Sequence, residues 1–245
     1  MNAATVTTAA TVTTAVREVE RLAQDSLRMM GVPFPQAERA MHAVTWAEAV
    51  YGRGLQFLMA RESRLRQTAS QQPRLIEETA DSVVIDAGGA SLLTAGPPAL
   101  DLATALARTQ GIGTARLTNT FGLMFAGELV AWAAGRGLGC TAACWSPDPY
   151  DPFEAAGVYA GAPGDALRFH ARAQSGSDDA DAAMVLVCRQ RPLDAGDTAG
   201  EDLSAHFEAA LRHGMACPAD AFDHIGRLAL TIRQPSSERS RNQAG

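Results

Sequence analysis

Apolar residues recur at helical spacing through the first quarter of the chain. Val16 to Met30 reads as one amphipathic helix stopped by Gly31. Pro33 and Pro35 punctuate next, and Pro35 suits the first turn of a second helix. In it Ala37, Met41, Val44, Ala47, Tyr51, Leu55 and Leu58 form a stripe at spacings of three and four. Glu38, Arg39, His42, Glu48 and Arg53 occupy the other faces. A polar stretch from Glu62 to Arg74 then leads to a short strand, Val83 to Asp86, with a turn at Gly88 and Gly89.

The middle of the chain alternates in type. Pro97 and Pro98 open a helix over Pro98 to Gln110, ended by Gly111, and Thr114 to Thr118 reads as a strand. A helix from Gly122 to Ala134 ends at Gly135, and a strand follows over Leu138 to Trp145. Helix, strand, helix and strand with short glycine links predict α/β layer packing. Beyond Trp145 the sequence SPDPYDPF, Ser146 to Phe153, reads as a loop. Strands are expected at Gly157–Ala160, Leu167–Ala173 and Ala183–Arg189, with a polar hairpin at Ser175 to Asp181. A helix over Glu201 to His213 and a last strand over Arg227 to Arg233 complete the pattern. The chain divides into a flexible leader (1–15), one α/β or α+β domain (16–233) and a tail (234–245).

At 245 residues a core can form without disulfides or metals. The charge pattern narrows the chemistry further. All 21 basic residues are arginine, so lysine Schiff bases, phosphate-loop lysines and lysine general bases are excluded. Any cation that grips a substrate must be a guanidinium, which binds carboxylate or phosphate in a planar fork. The net charge of −6 comes without a basic stripe, which argues against nucleic acid. No apolar run is long enough to span a bilayer, and the start lacks a secretory pattern, so no membrane partner and a cytoplasmic location are expected. Cys140, Cys144, Cys188 and Cys217 form no Cys-x-x-Cys pair and read as buried thiols, and no metal site is expected.

The stretch Ala99 to Pro147 resembles the malate/L-lactate dehydrogenase family of the type-2 branch, which lacks a Rossmann fold. The resemblance rests on ALARTQGIG (Ala105 to Gly113), on Arg116-Leu117-Thr118-Asn119-Thr120-Phe121-Gly122 and on Trp145-Ser146-Pro147. Tyr51-Gly52-Arg53-Gly54 occupies the place of the family's D-S-H-G motif. The resemblance implies an N-terminal helical pair packed on a mixed sheet, a homodimer and an NAD(P)-dependent oxidoreductase. It also marks two departures. The family's acid/base histidine corresponds to Arg53, and the histidine placed near the nicotinamide corresponds to Thr120. Arginine cannot shuttle a proton near neutral pH. The terminal element P-S-S-E-R-S-R resembles a bacterial family known only as a domain of unknown function, which conveys no activity.

Three groups of residues carry candidate chemistry. Arg116, Thr118, Asn119, Thr120 and Ser146 would meet NAD(P)H, with backbone N–H groups at the following helix start favouring an anion. Ordinary N-capping by Asn119 or Thr120 explains that start equally. Arg53, with Ser237, Arg239 and Arg241 of the tail, would hold a small carboxylate, and His42 would replace the missing acid. Asp148 lies in the proline-rich loop after a strand, where α/β proteins place ligands or simple surface turns. The expected function is a divergent oxidoreductase acting on a small 2-oxo or 2-imino carboxylic acid. The alternatives are a lyase or isomerase of a small carboxylate, and a non-catalytic ligand-binding or accessory subunit.

Overall fold

The computed structural model describes residues 10–146, 151–154, 156–171, 183–190 and 200–232. The chain opens with strand β1 (Thr11–Thr14), followed by helices α1 (Val16–Met29), α2 (Phe34–Tyr51), α3 (Gly54–Ala60) and α4 (Glu62–Thr68). Strands β2 (Arg74–Glu78) and β3 (Ser82–Asp86) precede α5 (Leu92–Gln110) and β4 (Ile112–Thr118). A 3-10 turn (Leu123–Phe125) runs into α6 (Ala126–Gly135), then β5 (Gly139–Trp145), β6 (Gly157–Gly161), β7 (Arg168–Ala171) and β8 (Ala183–Arg189). The last elements are β9 (Glu201–Asp202), α7 (Ser204–His213), β10 (Met215–Pro218) and α8 (Ala219–Thr231).

The main sheet has eight strands in the order β2-β3-β4-β8-β5-β6-β7-β9. Only the β3–β4 pair is parallel, and α5 makes the crossover between them. One face of the sheet carries the core: Val83 and Ile85, Ala115 and Leu117, Leu186 and Cys188, Cys140 and Ala142 are all buried. Helices α5 and α6 lie on the sheet, and α2 packs on α5 and α6 from outside. The helical pair α1–α2 therefore belongs to a second helical layer, with α8 packed against α1. The Ser26 hydroxyl donates to the Ile225 carbonyl at 3.1 Å and fixes α8 to α1.

The sheet core and α1 lie where the periodicity places them. Elsewhere the structure differs for identifiable reasons. Residues 11–14, expected as leader, form β1 against β10, a partner about 200 residues away that no local pattern reveals. Residues 227–231 of the expected strand Arg227–Arg233 belong instead to α8, and Arg233 lies outside the described residues. Alternation in RLALTIR suggests a strand, but Ala221, Ile225 and Ala229 are buried at spacing four. The polar stretch after Glu62 holds α4 and the edge strand β2, whose five residues are all exposed and so carry no inward apolar signal. Helix α5 begins at Leu92, with Pro97 and Pro98 inside it. Ser91 caps it by accepting the Leu93 N–H, and burial of Leu92, Leu93 and Leu100, roughly 2 kcal/mol each, outweighs the lost bonds. The expected helix start at Glu201 is β9, with α7 beginning at Ser204. The expected hairpin Ser175–Asp181 lies outside the described residues.

Glu128 is the one acidic residue of α6, and it is buried. Burial pushes its pKa up to about 8, against a smaller lowering by the Trp132 indole N–H that it accepts. It therefore keeps its proton while an unfolded glutamic acid would ionise. The wild-type protein should lose stability as pH rises from about 4.5 toward 8, by a total on the order of 4 kcal/mol, and level off above. Denaturant melts of wild type and Glu128→Gln across that range check this: the substitution should flatten the slope, and parallel curves would refute it.

Candidate functional site

Two turns at the carboxyl ends of the parallel strands β3 and β4 lie side by side. After β3, the Asp86 carboxylate accepts the Gly88 N–H at 2.8 Å, with Arg74 at 2.9 Å and the Asn119 amide at 3.2 Å. Those bonds hold the Asp86 pKa below the usual carboxylate range. After β4, Asn119 takes a left-handed φ of 52° and its carbonyl accepts the Gly89 N–H. The strands' register, Asp86 opposite Thr118, thus brings Gly88–Gly89 next to Asn119–Gly122. Open α/β sheets commonly place ligands at such strand ends.

The short loop at 151–154 packs over the second turn. Glu154 accepts the Gly122 N–H at 2.8 Å and the Leu123 N–H at 3.1 Å. Free N–H groups at this helix start were the expected anion site, and the chain fills it with its own carboxylate. Burial pushes the Glu154 pKa up, against the lowering by those two bonds. Phe153 joins an aromatic cluster around Phe57 with Phe121 and Phe125, and the Met124 N–H donates to the Phe153 carbonyl.

Arginines of the α3–α4 segment rim this place. The Arg53 guanidinium donates to the Pro152 carbonyl at 3.1 Å, and Arg61 pairs with Asp151 while lying over the Phe153 ring. Arg64 lies over the Phe121 ring, its guanidinium carbon 3.9 Å from the centroid. Among the described residues it forms no ion pair, and it is exposed. Its charge is therefore available to an incoming anion.

The segment is held by backbone contact. Gly52 closes α2 in the left-handed region at φ 64°. A Cβ at Gly54 would collide with the Val44 carbonyl oxygen and press on the Glu48 nitrogen at 2.9 Å. Buried Glu48 accepts the Leu55 N–H at 2.8 Å, which ties the start of α3 to α2. Desolvation raises the Glu48 pKa. Position 54 is thus closed to any side chain, whereas Arg53 between the glycines is exposed and reaches the Pro152 carbonyl.

The other expected site residues are distributed unevenly. Thr118 and Asn119 belong to the mouth, and the Thr118 hydroxyl reaches the Ile85 carbonyl at 3.4 Å. Thr120 is buried and donates to the Ala90 carbonyl at 2.9 Å, so its hydroxyl serves the fold. Ser146 is buried at the end of β5. Arg116 projects from the open face of β4, away from the core, and has a partner of its own. His42 is nine residues before Tyr51, about 14 Å along α2 from the mouth. It faces Glu20 at 3.6 Å and the Trp132 ring instead. Asp148, Ser237, Arg239 and Arg241 lie outside the described residues. Sequence reasoning missed Arg61, Arg64 and Glu154. Arg64 sat in what read as a plain polar stretch, Arg61 immediately precedes that stretch, and Glu154 is one residue past the proline-rich loop. Among the described residues no three His, Cys, Asp or Glu side chains group to hold a metal, and no helix is long and apolar enough to cross a membrane.

No family model and no curated protein sequence matches the chain. Solved structures do match in fold. Malate dehydrogenase from Entamoeba histolytica superposes with a TM-score of 0.72 at 12% identity, over 92% of this chain and 99% of that one. A dehydrogenase from Sinorhizobium meliloti gives 0.73 at 16% identity, over 90% and 100%. The delta1-piperideine-2-carboxylate reductase from Pseudomonas syringae gives 0.65 at 13%, over 89% and 99%. The fold is therefore malate/lactate dehydrogenase-like along nearly the whole chain.

The packing at Gly54 yields a paired test. Gly54→Ala should lower unfolding stability by about 3 kcal/mol, because the new methyl meets backbone on two sides. Gly52→Ala meets no atom within 4 Å and should cost only about 1 kcal/mol, for its positive φ. Urea melts of both variants check the ranking, which equal losses would contradict.

Proposed function

We propose that the protein is a divergent oxidoreductase whose substrate is a small 2-oxo or 2-imino carboxylic acid. The observation that carries this reading is Arg64, an unpaired guanidinium at the mouth formed by the β3 and β4 turns. The near full-length likeness to dehydrogenases and to a reductase of a cyclic imino carboxylate supplies the reaction class. In this reading Arg64 grips the substrate carboxylate, with Arg53 beside it across the 151–154 loop. Tail residues Ser237, Arg239 and Arg241 would add to that anion recognition, and Asp148 of the loop would meet a polar or cationic group of the substrate, such as the imine nitrogen.

NAD(P)H is the cofactor implied, and it would supply a hydride. The fit of the nominated residues is incomplete. Arg116, Thr118 and Asn119 keep polar groups outside the core, whereas Thr120 and Ser146 are buried and Glu154 holds the N–H pair that a cofactor phosphate would use. The proton donor also needs reassignment within the reading, since Arg53 cannot donate at neutral pH and His42 faces another groove. Glu154 is the titratable group beside the mouth whose raised pKa keeps it protonated further toward neutrality than a solvated carboxyl. Turnover should therefore fall as pH rises through that raised pKa, and Glu154→Gln should remove turnover while sparing carboxylate binding.

A second reading, a carboxylate-binding or accessory protein without redox chemistry, draws on the replacement of both family histidines by Arg53 and Thr120. One experiment separates the readings. Purified protein is titrated with pyruvate and with delta1-piperideine-2-carboxylate by calorimetry, then assayed for NADH and NADPH oxidation at 340 nm. Binding that weakens about tenfold or more in Arg64→Ala, together with cofactor oxidation, is the expected result. Binding without oxidation selects the second reading, and no binding of either acid overturns both.

The assembly proposed is a homodimer in the cytoplasm. Leu75 and Ile76 on the edge strand β2 are 50% and 59% exposed, which suits a strand covered by association. Light scattering should give twice the chain mass, and a monomer with Leu75→Glu and Ile76→Glu would identify that edge as the contact.

A further inference from the structure

At the other end of the sheet from the mouth, two cysteines face each other. Cys140 of β5 is directly opposite Cys188 of β8 in their antiparallel register, and the sulfurs are 3.5 Å apart. Both side chains lie on the helix-covered face of the sheet. A disulfide needs Cβ atoms roughly 3.5–4.5 Å apart, and opposed antiparallel residues present theirs at about 4.5–5.5 Å. Closure therefore asks for a contraction of about 1 Å, with no change of register.

We propose that Cys140 and Cys188 form a peroxide-oxidisable dithiol that closes to a cross-strand disulfide. Cys140 is 4% exposed and Cys188 not at all, so bulky disulfides such as oxidised glutathione are excluded and a water-sized oxidant, hydrogen peroxide, is favoured. Arg136 is the charged group nearest in effect to the pair. It lines an open groove of about 490 Å³ between α2 and α6, with Glu38, Arg39, His42 and Trp132, and its charge also acts on Cys188. Arg136 is anchored there by Asp101 at 2.9 Å.

The 3.5 Å contact lets either thiol donate, and Arg136 distinguishes them. Its charge acts on Cys188, so the arrangement with Cys140 as donor is favoured; it raises the Cys140 pKa and lowers that of Cys188. The Cys188 thiolate attacks one peroxide oxygen; the S–O bond forms and the O–O bond breaks. The hydroxide released takes up the proton that Cys188 had lost and leaves as water, with a sulfenic acid on Cys188. The Cys140 sulfur then attacks that sulfur, forming S–S and breaking S–O, and the Cys140 proton leaves with the hydroxyl as a second water. Two thiols are oxidised by two electrons and one peroxide becomes two waters. Cys144 is four residues further along β5 on the same face but is opposite Met184, and Cys217 lies on β10 beside Glu48. Neither has a thiol opposite it, so both act as internal controls.

The test uses the full chain and does not depend on the proposed redox activity. Folded protein is treated with hydrogen peroxide, quenched with iodoacetamide in denaturant and digested without reductant for mass spectrometry. The expected product is a peptide pair linked through Cys140 and Cys188, lighter by two hydrogens, with Cys144 and Cys217 alkylated. In Cys140→Ala, Cys188 loses the S–H donor but keeps Arg136, so its sulfenic acid should form more slowly, persist, and be trapped by dimedone added with the denaturant. Four alkylated thiols in wild type, a link through Cys144 or Cys217, or a bond between chains overturns the proposal. The wild-type measurement stands whether or not the variant folds.

Discussion

Helix α5 lies on β4 with no side chain between them at Gly113, and much of the molecule is arranged around that contact. A Cβ at Gly113 would strike the Ala103 carbonyl oxygen and the Ala107 nitrogen. The small residues Ala99, Ala103 and Ala107 let the helix settle onto the strand, and all three are buried. Because α5 joins the parallel strands β3 and β4, this close approach fixes how the two strand ends stand relative to each other. The turns at Asp86–Gly89 and Asn119–Gly122 become neighbours as a result. Above them α2 rests on α5 and α6, so the α3–α4 segment that follows α2 reaches those same turns.

The mouth formed there is organised by internal neutralisation. Asp86 is held by a backbone N–H, an arginine and an amide; Asp151 is held by Arg61; Glu154 is held by two backbone N–H groups. Each of these carboxylates has a partner, whereas Arg53 meets only a carbonyl and Arg64 forms no ion pair among the described residues, so two guanidiniums remain for an anion. The seat of Arg64 on Phe121 depends on the aromatic cluster around Phe57, so the position of that cation is set by packing beneath it. The backbone framework of a malate/lactate dehydrogenase-like fold is retained around Gly54 and Gly113, where no side chain fits. Beside them, Arg53 is exposed, whereas Thr120 is buried and donates to the Ala90 carbonyl.

Much of the layer pattern was legible in the sequence. The strands Val83–Asp86 and Thr114–Thr118 and the first helix lie close to their expected bounds, since each has a buried face long enough to show its period. Elements without an inward face, or with a remote partner, were not legible. β2 is exposed along its length, β1 and β10 depend on each other across most of the chain, and α8 hides a helical stripe beneath local alternation. For the site, the motif glycines and the Thr118–Asn119 turn were readable. Arg64 and Glu154 were not, because one looks like any solvated arginine and the other like any loop carboxylate until their neighbours are in place.

Composition and order alone determined that every cation is a guanidinium, that lysine chemistry is excluded and that helices and strands alternate through the middle of the chain. They also marked Arg53 and Thr120 as departures from the resembled motifs. Tertiary structure decided which polar groups are spent on the fold and which remain to meet a ligand. It gave the helix-start N–H groups to Glu154, buried the Thr120 hydroxyl on Ala90, left Arg64 outside any ion pair among the described residues and set Cys140 against Cys188. Such pairings form between residues about 30 to 90 positions apart, where sequence periodicity carries no signal and only the folded backbone brings the partners within bonding distance.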